Sequence, residues 1–155
     1  MQLVAVRRAA SLDGAAHRLL SPEGFAQARL LARALAEQFP AASHLLTSPS
    51  IRAVQTATLI GDRLGLVPEE FAPIDEVVPP PDADREEYLR EVYPRCIGAF
   101  RQIVNDHEGV VIAVTHRRVL SAYLALFWGF ENPRDAWVRN IARRTGWELD
   151  VLPHR

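Results

Sequence analysis

Gly109-Val110-Val111-Ile112-Ala113-Val114-Thr115-His116 decides the fold class. Its apolar residues follow one another instead of alternating with polar ones, it is rich in valine, and it ends on a polar pair. A strand with one wet face alternates, whereas a strand covered on both faces does not. The stretch is therefore read as the buried central strand of a parallel sheet, with Thr115 and His116 at its carboxyl end.

Working outward, the downstream chain is expected to form a helix from Val119 to Trp128, stopped by Gly129, and a short helix capped at Asn132-Pro133 and running through Trp137. The tail reads as two strands around a turn near Thr145-Gly146, with Trp147, Leu149 and Val151 alternating in the last. Upstream, Leu3–Val6 is a short apolar strand that ends in Arg7-Arg8 and a loop from Ala9 to Leu19. Ser21-Pro22-Glu23 supplies an N-cap, a proline at the first helical position and an acid in the first turn. That helix should reach Gln38 and turn Phe25, Ala28, Leu31, Ala32 and Leu35 to one face. Ser43–Thr47 is a second strand. Ser48-Pro49 opens a helix with Ile51, Val54, Ala57 and Leu64 inward, closed by Gly65. A short strand near Phe71–Ile74 follows, then an extended loop through Pro79-Pro80-Pro81, then a helix from Asp84 to Asp106 with a break or kink at Pro94.

Strands alternating with helices imply a three-layer α/β/α domain over residues 1–155, with a mostly parallel central sheet and an antiparallel edge from the tail. Ligands of such sheets bind beyond the carboxyl ends of the strands. Three polar clusters fall at such ends: Arg7-Arg8, Ser48 to Arg52, and Thr115-His116. Guanidinium forks suit a phosphate, which accepts two parallel hydrogen bonds from each.

Composition narrows the alternatives. The 155 residues carry a formal net charge of −1, and every basic residue is an arginine. No global basic field points to nucleic acid. Cys96, the single cysteine, can form no internal disulfide and no cysteine-based zinc site. His44, His107 and His154 have no partners at metal-ligand spacing, so neither metal nor cofactor is expected. With no signal-peptide pattern and no apolar run long enough to span a bilayer, a cytoplasmic setting without membrane attachment is expected. Trp128, Phe130 and Trp137 suit a core, and could also support a homodimer.

The sequence also resembles a known family. Val4-Ala5-Val6-Arg7-Arg8-Ala9 stands where histidine phosphatases of the phosphoglycerate-mutase-like superfamily have hydrophobics followed by Arg-His-Gly. Leu20-Ser21-Pro22-Glu23-Gly24 with Gln27-Ala28 is similar to that family's Leu-Thr-x-x-Gly-x-x-Gln-Ala. Thr47-Ser48-Pro49-Ser50-Ile51-Arg52-Ala53-Val54-Gln55-Thr56-Ala57 resembles its Ser-Ser-Pro-x-x-Arg-Ala-x-Gln-Thr-Ala, and Val111–His116 resembles its Val-x-Val-Ser-His. The matches keep the family's order and cover most of the chain.

The resemblance implies a phosphoglycerate-mutase-like fold in which Arg7 and Arg52 clamp a phosphoryl group and His116 binds the same group. It places a proton-donating acid at Glu76, with Asp75 as a weaker substitute; Glu76 also reads as a solvated loop carboxylate. The nucleophilic histidine position holds Arg8, and the next glycine position Ala9. A guanidinium has no free lone pair at neutral pH and cannot attack phosphorus. The expectation is a domain that binds phosphate, a phosphorylated small molecule or a phosphorylated protein, with impaired catalysis. Two alternatives stay open. One is an active phosphatase in which Glu76 or His17 activates water; the other is an interaction domain with a vestigial pocket. Arg117 and Arg118 either extend a basic rim or solvate the start of a helix, where their charge opposes the dipole. The segment between Glu76 and Gly109 is too short for a large lid.

Overall fold

The structure, a computed structural model, describes residues 2–12, 19–120 and 149–153. In chain order the elements are β1 (Gln2–Arg7), α1 (Pro22–Gln38), β2 (Ala42–Thr47), α2 (Ile51–Leu64), β3 (Glu69–Glu70), a 3-10 turn at Ala72–Ile74, α3 (Arg85–Asp106), β4 (Val110–Thr115) and β5 (Leu149–Pro153). They form one sheet of order β3-β2-β4-β1-β5. β4 pairs in parallel with β1 on one side and β2 on the other, and β3 continues the parallel set. Only β5, against β1, is antiparallel. The apolar run read as the central strand thus lies in the middle of the sheet, and the tail supplies the antiparallel edge.

Side-chain alternation sorts the strands into two cores. Val4, Val6, Leu45, Ile112 and Val114 face one way and pack with Leu31, Ala32 and Leu35 of α1 and Ala53, Ala57 and Ile60 of α2. Leu3, Ala5, Leu46, Val111 and Ala113 face the other way and pack with Cys96, Phe100 and Ile103 of α3 and with Val119 and Leu120. Helices on both faces of a mostly parallel sheet make the three layers. Each fully buried Leu, Ile, Val or Phe contributes about 1.5–3 kcal/mol of transfer free energy. These two interfaces therefore hold the strand ends in fixed relation.

Local chemistry sets the helix ends. Ser21 Oγ accepts from the Gly24 N–H at 3.0 Å, and Pro22 occupies the first turn. Asp84 caps α3 by accepting from the Glu87 N–H at 3.0 Å. α2 ends on Gly65 at φ 71°, a left-handed conformation that favours glycine, and the Leu66 N–H returns to the Gly61 carbonyl at 3.0 Å.

Several expectations need correction. α2 begins at Ile51 with Ser50 as N-cap, not at Ser48-Pro49, because the Ser48 N–H still donates to the Val114 carbonyl and extends the sheet ladder. Its buried face is Ala53, Thr56, Ala57 and Ile60. Ile51 is 55% exposed, and Val54 and Leu64 are only partly covered. The strand expected at Phe71–Ile74 is instead the two-residue β3, followed by the 3-10 turn. The Phe71 N–H makes the last bond of that ladder, to the Thr47 carbonyl, and Pro73 has no N–H to continue it. α3 runs through Pro94 as one 22-residue helix. Pro94 lies on its exposed side, while Cys96, Phe100 and Ile103 anchor the following turns in the core. Beyond β4 the chain is helical over 117–120. The expected continuation of that helix to Trp128, the 132–137 helix, the turn at Thr145-Gly146, the aromatic cluster, His17 and His154 lie outside the described residues. No helix among the described residues is long and apolar enough to cross a membrane.

Candidate active site

The register of the parallel strands brings three loops together. Arg7 is the partner of Thr115, and Thr47 of Val114. One residue further on, the Arg8 N–H donates to the Thr115 carbonyl at 2.9 Å, and Ser48 to Val114 at 2.9 Å. Arg8, Ser48 and His116 therefore leave three adjacent strands at the same end of the sheet. A cavity of about 310 Å³ opens there, bordered by Arg7, Arg8, Glu76 and His116 and by Arg85, Arg117 and Arg118.

The loop after Arg8 is held by side chains of α1 and α2. The Ala9 N–H donates to Thr56 Oγ1 at 3.0 Å, and that hydroxyl donates to the Arg52 carbonyl at 2.8 Å. The Ala10 N–H donates to Gln27 Oε1 at 3.1 Å, and the Leu20 N–H to Gln55 Oε1 at 2.9 Å. The Ala10 carbonyl accepts from the Ser21 N–H at 3.0 Å. It lies so near α1 that a Cβ on Gly24 would stand 1.9 Å from its oxygen, so only glycine fits there. Ala9 itself is fully buried, packed with Leu20 and Ala28.

His116 is 3% exposed. Its Nε2 lies 2.7 Å from Ser48 Oγ and 3.3 Å from Ser50 Oγ. Ser48 Oγ also lies 2.8 Å from Asp75 Oδ1, which as a carboxylate only accepts. The serine proton therefore goes to Asp75, and Ser48 accepts from the imidazole, placing the ring proton on Nε2. Nδ1 is left as a buried lone pair without a hydrogen-bond partner. Burial pushes the His116 pKa down to about 4; Arg52 and Arg8 act in the same direction, and Glu76 and Asp75 oppose them. At neutral pH the ring is uncharged, so its 3.9 Å approach to Asp75 is not an ion pair.

The arginines divide by their contacts. Arg52 is 7% exposed; it is ion-paired to Glu76 through Nη2 and reaches Ser11 Oγ through Nη1 at 3.4 Å. It stands behind the cavity instead of lining it. Arg8 donates from Nη1 to the Ala9 carbonyl at 3.0 Å. Its pKa is lowered to about 10 by burial and by Arg52 and Arg7, with Glu76 opposing. Arg7 is lowered by burial, then by Arg117 and Arg52. Both stay charged at neutral pH, so this end of the sheet concentrates positive charge in a chain that is nearly neutral overall.

The structure places Arg7, Arg8, Glu76 and His116 around one cavity and sets Arg52 one layer back with Glu76 as a partner. Gln27, Gln55, Thr56 and Arg85 were given no site role from sequence, Ser48 was named only as the start of the cluster after β2, and Asp75 only as a weaker substitute for Glu76. Gln27, Gln55 and Thr56 stand inside the matched motifs, which was a usable signal. Nothing in the sequence distinguishes which of the adjacent Asp75 and Glu76 turns toward the histidine. For Arg85 a faint signal existed, a cation at a helix start.

The model of the histidine phosphatase superfamily (branch 1) matches residues 7–78 and 67–143. The chain belongs to the histidine phosphatase superfamily. Among curated proteins none matches it. Solved structures of the same fold include three phosphatases. The first is a histidine-to-alanine mutant of phosphoserine phosphatase from Entamoeba histolytica in complex with phosphoserine, with TM-score 0.73 and 14% identity over 99% of this chain and 91% of that one. A mycobacterial glucosyl-3-phosphoglycerate phosphatase complexed with VO3 gives TM-score 0.69 and 18% identity over 96% and 90%. The protein histidine phosphatase SixA complexed with tungstate gives TM-score 0.61 and 24% identity over 82% and 76%. This member of the superfamily therefore shares its mostly parallel sheet and flanking helices with structures of phosphatases.

Proposed function

We propose that this chain binds a phosphorylated ligand at the carboxyl end of its sheet and lacks the phosphohistidine route of hydrolysis. The observation that carries the reading is Arg8. It follows β1 into the cavity beside Arg7 and His116, where the sequence resemblance puts the family's nucleophilic histidine. Two guanidinium groups there offer forked donors to phosphoryl oxygens, but neither can form a bond to phosphorus. Glu76 would serve poorly as acid or base while Arg52 engages its carboxylate. His116 borders the same cavity as a neutral ring held by Ser48 through Nε2.

The vestigial-pocket alternative requires a crevice closed by its own ion pair, such as Arg8 with Glu76. Instead Arg8 bonds the adjacent carbonyl, Glu76 pairs with Arg52, and a cavity remains. The Entamoeba histolytica neighbour, holding phosphoserine with a histidine changed to alanine, is consistent with binding that outlives the loss of a histidine.

Calorimetry with inorganic phosphate and vanadate should detect binding that falls tenfold or more in Arg7→Ala, about the contribution of one charge-assisted hydrogen bond. Hydrolysis of an aryl phosphate should match the enzyme-free blank. Arg8→His combined with Ala9→Gly should gain turnover and a trappable phosphohistidine. A covalent phospho-enzyme on the unaltered protein, or no anion binding, would overturn the proposal.

A further inference from the structure

We propose that His44 and His107 hold a divalent transition-metal ion of the zinc class at the amino end of the sheet, clipping α3 to β2. The site is separate from the anion cavity. His44 is the register partner of Val111, and β4 carries the chain about 16 Å from there to His116. The two histidines stand far apart in sequence, so spacing gave no sign of the pair.

Two local devices bring the rings together. The first is a β-bulge. Ala42 pairs with Val110 and His44 with Val111, so Ser43 is the extra residue of β2. Its Oγ lies 3.2 Å from the Val110 carbonyl oxygen and 3.4 Å from that of Glu108. Gly109, at φ 76°, leaves room for that hydroxyl, which a Cβ would meet at 2.7 Å. A bulge re-aims the side chain beside it, and this one ties β2 to the turn between α3 and β4. His44 then shares a face with Leu46, which packs in the core under α3. The second device is the end of α3 itself, where His107 is the C-cap residue.

The geometry of the pair suits a shared ion. The ring centroids are 5.1 Å apart. Two imidazoles on one tetrahedral zinc ion, with Zn–N bonds of about 2.0–2.1 Å, place their centroids about 5 Å apart. His107 Nδ1 lies 2.9 Å from the Ile103 carbonyl oxygen, which only accepts. The ring proton is therefore on Nδ1 and the lone pair on Nε2. A backbone carbonyl that fixes the tautomer in this way is a common second partner of a metal-binding imidazole. Neither His107 Nε2 nor the His44 ring hydrogen-bonds to another described residue. His44 is exposed and His107 half-buried, so a hydrated ion has access. The carboxyl end of α3 favours a cation through the helix dipole, and the exposed Asp106 and Glu108 flank His107 in the chain. Among the described residues no group of three ligands forms, so water completes the shell and the ion exchanges.

Calorimetry on the full chain with zinc chloride, and melting curves with and without the ion, test this. Wild type should bind one zinc ion per chain and melt at a higher temperature when loaded, and EDTA should reverse the shift. His44→Gln and His107→Gln should each weaken zinc binding about tenfold or more and lose most of the zinc-induced shift. Metal-free melting curves report whether each variant folds. If His107→Gln does not, His44→Gln decides alone, because that side chain is exposed. Mg²⁺, which prefers oxygen ligands, should neither bind nor raise the melting temperature. The proposal is overturned by the absence of saturable zinc binding below about 1 mM. Zinc affinity unchanged in His44→Gln, or Mg²⁺ binding as tight as zinc, would leave only an edge-to-face ring contact and overturn it too.

Discussion

His116 takes a proton near pH 6.5 in an unfolded chain but only near 4 when folded, chiefly because burial disfavours the charged ring. The sign of the pH effect follows. Above about 6.5 neither state is protonated, and the stability associated with the neutral ring is fully present. As pH falls from there toward 4 the unfolded chain gains a proton that the folded one refuses, so stability drops by about 3 kcal/mol in all and then levels off. Urea titrations at about pH 7 and about pH 4.5 should show this loss in the wild type. His116→Gln keeps a side-chain N–H for Ser48 and should show a smaller loss, and equal losses in both proteins would refute the assignment. The sequence made His116 legible because a polar residue ending a buried strand must face either a site or a cap. Its low proton affinity was not legible, because it depends first on burial by the packed layers and then on Arg52 and Arg8, which other elements bring to it.

At the scale of elements, α1 and α2 act as clamps on the loop that carries Arg8. Gly24→Ala would push a methyl group against the Ala10 carbonyl, costing about 1–3 kcal/mol through overpacking. Moving that loop should also weaken phosphate binding, so a melting curve and a phosphate titration on one sample check both effects. Thr56→Val leaves the buried Ala9 N–H without its acceptor, a loss of about 1–3 kcal/mol. Thr56→Ser keeps the hydroxyl and should retain most of the stability; if serine and valine cost the same, the hydrogen bond is not the cause. Element boundaries were readable where one local signal dominated, as with Ser21-Pro22 at the start of α1 and Gly65 after α2. They were misread where a distant partner competes. Ser48 looks like a helix cap in isolation, but its N–H goes to β4 and its hydroxyl to Asp75 and His116. Pro94 looks like a break, yet the buried turn after it keeps α3 whole.

For the molecule as a whole, the sheet separates the core that sets stability from the proposed binding site. Phe100 is fully buried between α3 and the sheet, and Phe100→Ala should cost about 3–5 kcal/mol. Leu30→Ala, at a side chain 67% exposed, should stay within about 0.5 kcal/mol; a comparable loss from both in denaturant melts would contradict this layering. The layered fold was legible because uninterrupted apolar runs and helical periodicities reflect burial, which the sequence carries directly. The pairing of Arg52 with Glu76 was not, since it joins the first turn of α2 to the loop after the 3-10 turn, whose separation in space only the packed sheet sets. The strand order carries one more consequence. β1 is hydrogen-bonded only to β4 and β5, both made long after it during synthesis. Leu3–Val6 must therefore wait with two open edges while most of the polypeptide leaves the ribosome, which is when strands are prone to mispairing. Arg7 and Arg8 reach their positions only when that wait ends, so a nascent chain halted before β4 would lack the proposed site.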